Sequence, residues 1–178
     1  MKSQLIKLLT VSVLFAGLSA CKQKTIEVNQ NFSRYISGFT SGQISTKAVI
    51  QIELAEDQPQ VEPFTEIKDK VFSFSPAVKG RVYWKSKRLI EFSPDEPLKE
   101  GTLYRVNFHL NKVLSGLDKE FRTFSFDVRT IEQNFAIEDA FYQPIRDNQN
   151  RWNAMSVEVS VADAVTNNEA AEIFSAEL

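Results

Sequence analysis

The chain has 178 residues, 43% of them hydrophobic, and a formal net charge of -2 from 21 Lys and Arg against 23 Asp and Glu. That length and apolar content suffice for one full core and part of another. There is no basic field and no Lys/Arg block long enough to follow a phosphate backbone, which argues against a nucleic-acid partner.

Lys2 and Lys7 give a basic start, and an apolar run from Leu8 to Gly17 follows that is too short to span a bilayer. Residues 1–20 therefore read as a targeting signal. Leu18-Ser19-Ala20-Cys21 resembles the lipobox of bacterial lipoproteins, in which a peptidase cuts before the cysteine and the thiol is acylated. Cys21 is the only cysteine, so the resemblance makes it the lipidation site and leaves the mature chain without a disulfide. Each buried CH2 of an acyl chain contributes about 0.8 kcal/mol and a single chain holds only marginally, so two or three chains are expected on this residue. Residues 21–34, "CKQKTIEVNQNFSR", are polar and without a sustained period. They read as a flexible tether with an r.m.s. reach of roughly 20 Å.

A period of two dominates residues 35–130. "YISGFT" is the first predicted strand, and Ile50, Ile52 and Leu54 then alternate with Gln51 and Glu53 as in a strand with one buried face. Phe72 and Phe74 repeat the pattern, as do Val82 and Trp84, and Ile90 and Phe92 follow after the hairpin-length link "KSK". Tyr104, Val106, Phe108 and Leu110 fall on one side of the next run, with Arg105, Asn107 and His109 on the other. "FRTFSFDV" points Phe124, Phe126 and Val128 inward. About seven short strands punctuated by Gly, Pro, Asp and Lys predict an all-β fold, an antiparallel Ig-like β-sandwich, with much of its packing from 14 phenylalanines. One interruption, "VEPFTEIKDK", spaces Phe64 and Ile67 as a helical turn would, and is expected to cover one edge or end of the sandwich.

Ile50-Gln-Ile-Glu-Leu-Ala-Glu and Val157-Glu-Val-Ser-Val-Ala-Asp share one pattern, separated by about the ~100 residues of an Ig-like unit. An acidic segment with helical potential follows the second copy, where Ala170, Ile173, Phe174 and Leu178 would line one face. Residues 131–178 thus read as the beginning of a second, incomplete sandwich domain, and the reading frame is expected to continue.

Candidate chemistry is sparse. His109, the sole histidine, lies on the outward side of its strand with no serine or cysteine that the pattern places beside it. Asp95 and Glu96 lie between Pro94 and Pro97 in what reads as a turn rather than an acid pair. "RDNQN", from Arg146 to Asn150, has oxygen donors at alternate positions, yet lacks the glycine and the distal glutamate of a calcium loop. Tyr83, Trp84, Lys85 and Lys87 bring aromatics near cations, for which a core Trp84 beside an exposed turn is the simpler account. With no phosphate loop, zinc spacing or nucleophile elbow, the expectation is a chain that is not an enzyme and carries no catalytic residue, metal site or cofactor.

"SGFTSGQIS", "VFSFSPAVKGRVYWKSKRLIEFSPDEPLKEGTLYRVNFHL" and "FRTFSFDVRTIEQNF" resemble the N-terminal region of bacterial alpha-2-macroglobulin family lipoproteins of the Bacteroidetes type. The central part also resembles a bacterial Ig-like module. The resemblance implies a long envelope protein of macroglobulin-like sandwiches that traps or inhibits proteinases. Its partners would be the membrane, through the lipid, further domains of the same chain, and proteinases. Members close on their attacker when a bait region is cut, many coupling to it through a Cys-Gly-Glu-Gln-type thioester. "CKQK" does not match that motif, so only the membrane-proximal structural role carries over, with Cys21 as anchor. The expected location is the bacterial cell envelope, facing the periplasm, since no acidic cluster follows Cys21. The competing expectation is an Ig-like spacer of a cell-envelope adhesion or glycan-binding lipoprotein.

Overall fold

The computed structural model describes residues 26–147 and 150–173. The targeting signal and Cys21 lie outside the described residues.

Eight strands form two facing four-stranded sheets: β1 (Ile36–Phe39), β2 (Gly42–Ile44), β3 (Ile50–Leu54), β4 (Phe72–Ser75), β5 (Gly80–Trp84), β6 (Leu89–Pro94), β7 (Leu103–Phe108) and β8 (Phe124–Thr130). One sheet has the order β1-β3-β6-β5 and the other β2-β8-β7-β4. This is the two-sheet order of an Ig-like sandwich with its first strand split between the layers. β2 pairs with β8 in parallel, and the other pairings are antiparallel. The all-β sandwich expected from the alternation is therefore present, with an eighth strand, β2, that lies beyond the predicted first run "YISGFT". Gly42 turns the chain from one sheet into the other at φ 77°, a left-handed conformation that favours glycine.

Alternation places the core where the sequence puts it. Ile50, Ile52, Ile90, Val106, Phe108, Leu110 and Phe126 are fully buried, with Tyr104, Phe124 and Val128 beside them. Phenylalanines bridge the layers at two places. Phe39 of β1 meets Phe124 and Phe126 of β8 at 5.0 Å between ring centroids, and Phe92 of β6 meets Phe74 and Phe72 of β4 at 4.5 and 5.7 Å. Such edge and tilted contacts are worth about 0.5–1.5 kcal/mol each beyond the area they bury. A further hallmark is local. The hydroxyl of buried Tyr104, at the start of β7, accepts the Lys99 N–H at 3.0 Å, the tyrosine corner of Ig-like sandwiches.

Two expectations are corrected. The polar tether ends earlier than residue 34: Ile26 N–H donates to the Asp127 carboxylate at 2.8 Å, Gln30–Arg34 forms a 3-10 turn capped by Asn29, and Phe32 enters the core against Phe121 and Phe124. A lone phenylalanine in a polar run has no period to reveal it. The segment containing Phe64 and Ile67 is not helical but extended along β5. Ile67 donates to Val82 O, Trp84 donates to Thr65 O, and Glu66 bridges Tyr83. The free edge of β5 wins over local spacing, so the segment does cover an edge, with a different backbone.

After β8 the chain forms a two-stranded antiparallel ribbon, β9 (Phe135–Asp147) and β10 (Asn150–Val161), and then the helix α1 (Asn167–Ile173). The predicted strand through Val157 and Val161 and the predicted acidic helix are both present; Phe174 and Leu178 lie outside the described residues.

Candidate functional site

A side-chain hydrogen-bond network lies at the junction between the sandwich and the ribbon. Asp163, just past β10, is 7% exposed. One of its carboxylate oxygens accepts the Thr46 N–H at 2.7 Å and the Thr46 hydroxyl at 2.9 Å, and the other accepts the Ala164 N–H at 2.8 Å. Its backbone is held as well: Asp163 N–H donates to Gln133 Oε1 at 3.0 Å and Gln133 Nε2 donates back to Asp163 O at 3.1 Å. Gln133 lies between β8 and β9, so both feet of the ribbon are tied to each other and to the β2–β3 loop. A buried carboxylate is tolerated only when its lone pairs are satisfied, and here they are.

The electrostatics follow from these bonds. Burial pushes the Asp163 carboxyl up, but the Ser45 hydroxyl, the N–H and hydroxyl of Thr46 and the Ala164 N–H outweigh it and lower it from 3.8 to about 2. A second contact is next door. Lys47 Nζ reaches Glu169 at 2.7 Å, and Glu169 also accepts the Thr166 N–H and hydroxyl at 2.7 and 2.9 Å while donating its own N–H to Thr166 Oγ1. Thr166 and Glu169 thus form a capping box that starts α1. The Lys47 hydrogen bond and the Thr166 donors lower the Glu169 carboxyl from 4.5 to about 2.

The residues singled out in the sequence are dispersed. Asp95 sits in the expected turn, where it meets Arg81 at 3.8 Å in an exposed pair. Asp147 and Asn150 pair across the ribbon, while residues 148 and 149 of "RDNQN" lie outside the described residues, and among the described residues no group of three His, Cys, Asp or Glu is placed to hold a metal ion. Trp84 is half-buried on the wall of an open cleft of about 590 Å³ that Gln60, Thr65, Glu66, Asp69 and Lys112 also line. Beside it Lys85 lies 6.0 Å from the ring centroid of Phe64, which is exposed and has φ 65°.

His109 is the exception. Its Nε2 lies 3.2 Å from Ser73 Oγ and its Nδ1 3.4 Å from Thr123 Oγ1. The absence of a serine neighbour is therefore corrected: Ser73 pairs with Asn107, which makes it the diagonal neighbour of His109 on the same face. The group behind His109 in this line is a hydroxyl, not the carboxylate of a Ser-His-Asp arrangement. Neither residue lines the Trp84 cleft.

No family model and no curated protein matches the chain. Solved structures similar to it include L,D-transpeptidase 3 from Mycobacterium tuberculosis with a faropenem-derived adduct, at 9% identity over 60% of this chain and 40% of that one, TM-score 0.38. Another L,D-transpeptidase from the same organism has 9% identity over 59% and 42%, TM-score 0.39. An L,D-transpeptidase from Mycobacterium smegmatis has 11% identity over 77% of each chain, TM-score 0.35. The match thus spans about two-fifths of the first of these chains. These are enzymes, and the expectation that the chain is not an enzyme is corrected on that finding: missing motifs do not exclude an enzymatic role. At such scores the likeness assigns none of their chemistry to a residue of this chain.

Proposed function

We propose that the chain is the membrane-proximal structural segment of a cell-envelope lipoprotein of the alpha-2-macroglobulin type, held to the membrane through acylated Cys21 and facing the periplasm. In this reading the sandwich of β1–β8, with residues 26–34 packed on it, is the first module, and the ribbon with α1 belongs to a second, macroglobulin-like one. The observation that carries it is the junction at Asp163. A module whose role is to hold the next one in place needs a fixed joint, and a satisfied buried carboxylate supplies one where a polar linker would swivel. The proteinase-inhibiting role rests on the ordered combination of "SGFTSGQIS", "VFSFSPAVKGRVYWKSKRLIEFSPDEPLKEGTLYRVNFHL" and "FRTFSFDVRTIEQNF", which resembles that family.

The test is fatty-acid labelling of the full chain in a bacterial host. Label is expected in the wild type and lost in Cys21→Ala; equal labelling of both overturns the anchor and with it the membrane-proximal role.

A second reading, a spacer of a glycan-binding envelope lipoprotein, is favoured by one observation. The Trp84 cleft sets an aromatic wall among amide, hydroxyl and carboxylate groups, the mixture that a sugar's apolar face and hydroxyls require. Retention on envelope polysaccharide that Trp84→Ala abolishes supports this reading; retention unchanged by that substitution removes it.

A further inference from the structure

We propose that the sandwich rests with its β1/β2 flank on the anionic phospholipid head groups of the leaflet that holds Cys21, with its β5 flank turned away from the membrane. This orientation rests on the reading of Cys21 as the acylated anchor, to which it adds a contact surface and a stand-off.

Chain length sets the stand-off. Ile26 is where the chain is first pinned to the fold: its N–H donates to one oxygen of the Asp127 carboxylate at 2.8 Å, and the other oxygen meets Arg105 Nε at 3.3 Å. Asp127 lies between the inward Phe126 and Val128 on the outer face of β8, yet its side chain is only 1% exposed, held beneath these two partners. Phe32 then locks the segment into the core, so the pin cannot slide. Four residues separate Ile26 from Cys21. Even fully extended, they keep the two Cα atoms within about 18 Å of each other. The head-group layer takes up roughly 5–7 Å of that reach. Ile26 therefore stays within roughly 13 Å of the outer head-group surface.

That limit excludes one orientation outright. β1 and β2 are the edge strands on one side of the two sheets, and β5 and β4 those on the other. Three strand spacings put about 14 Å between β1 and β5 before any side chain is added. With the β5 flank down, the width of the sheet would lift Ile26 beyond the reach of its tether.

Charge favours the β1/β2 flank among the orientations that remain. From Lys22 to Ile52, a stretch that includes the arriving segment, β1 and β2, Glu27 is the sole carboxylate, against Lys22, Lys24, Arg34 and Lys47. Lys47 pairs with Glu169, which still leaves the stretch net basic. On the far flank Glu62, Glu66 and Asp69 outnumber Lys68 and Lys70 in the segment along β5. Where the turn around Phe121 packs on the arriving segment, Lys119 and Arg122 balance Asp118 and Glu120. An anionic surface attracts the first stretch and repels the second, over a range of about 8 Å at physiological salt. The exposed groups of the arriving segment, Asn29, Gln30, Asn31 and Ser33, are amides and a hydroxyl that can donate to phosphate oxygens.

The experiment uses the full acylated chain, purified from a bacterial host and reconstituted into vesicles of phosphatidylethanolamine and phosphatidylglycerol that include a lipid with a nitroxide on its head group. Acylation consumes the Cys21 thiol, so one added cysteine carries a fluorophore: Gln30→Cys or Ser33→Cys on the contact flank, Lys68→Cys on the far one. Both near labels are expected to lose most of their emission and the Lys68 label to keep most of its own. Protein that floats with the vesicles but is quenched equally at the three positions, or more strongly at Lys68, overturns the docking and leaves the anchor standing. Protein that does not float overturns the anchor, and the docking with it. A Gly-Ser spacer of about fifteen residues between Thr25 and Ile26, with an r.m.s. reach of roughly 20 Å, is expected to bring quenching at Gln30 down to the Lys68 level. Quenching unchanged by the spacer means that chain length does not hold the flank, and the proposal falls. Two near positions keep the result decisive if one label disturbs the fold.

Discussion

Thr46 and Asp163, 117 residues apart in sequence, meet through two hydrogen bonds to one carboxylate oxygen, from the Thr46 amide at 2.7 Å and from its hydroxyl at 2.9 Å. The pair couples a loop of the sandwich to the end of the ribbon. Removing the carboxylate takes the acceptor from the amides of half-buried Thr46 and of exposed Ala164. Asp163→Ala should therefore cost about 2–3 kcal/mol, the range for losing bonds to a charged group and leaving donors unpaired. Hydrogen exchange is the sharper check: amides 46 and 164 should speed up while those of β3 and β6 stay protected.

The same carboxylate sets an acid limit. Asp163 and Glu169 are both lowered to about 2, from 3.8 and 4.5. A depressed folded-state pKa means that the unfolded chain takes up protons first as pH falls, so the stabilisation is complete above about pH 5 and is lost progressively toward pH 2. Melting temperature measured between pH 6 and pH 2 should fall more steeply for the wild type than for Asp163→Asn, and the two curves should converge at the acid end.

Gly80 sits where a side chain cannot. A Cβ there would lie 2.4 Å from Ser93 O and 2.5 Å from the Phe92 ring. Backbone oxygen does not yield cheaply, and the ring belongs to the core beneath β5 and β6. Gly80→Ala is expected to destabilise by about 1–3 kcal/mol, as overpacking does, read from the urea midpoint at unchanged m-value.

The tyrosine corner gives a smaller, cleaner effect. Tyr104→Phe keeps the buried ring and removes only the oxygen that accepts the Lys99 N–H. A loss of about 1 kcal/mol is expected by chemical denaturation. No change at all would mean that water replaces the hydroxyl without cost.

The strands were legible because a half-buried sheet writes a period of two directly into the chain, and Ile50, Ile52, Leu54, Val106, Phe108, Phe124 and Phe126 follow it. What escaped was of another kind. Phe32 carries no period, and the run around Phe64 and Ile67 mimics a helix while its backbone bonds go to β5. Ser73 and His109 become neighbours only once β4 and β7 are in register, and Asp163 finds Thr46 only after the whole sandwich has closed. Local spacing reports which face is wet; it holds no record of which distant groups a register brings together.

The division of the first strand between the two layers has a mechanical consequence. Because β2 runs parallel to β8, tension pulling the two flanks of the sandwich apart slides these strands along each other instead of peeling them open. Their backbone bonds then share the force and must rupture together, whereas an unzipped hairpin gives way one bond at a time. A short patch of parallel pairing at the seam thus makes the unit resist stretching more strongly than its modest size suggests.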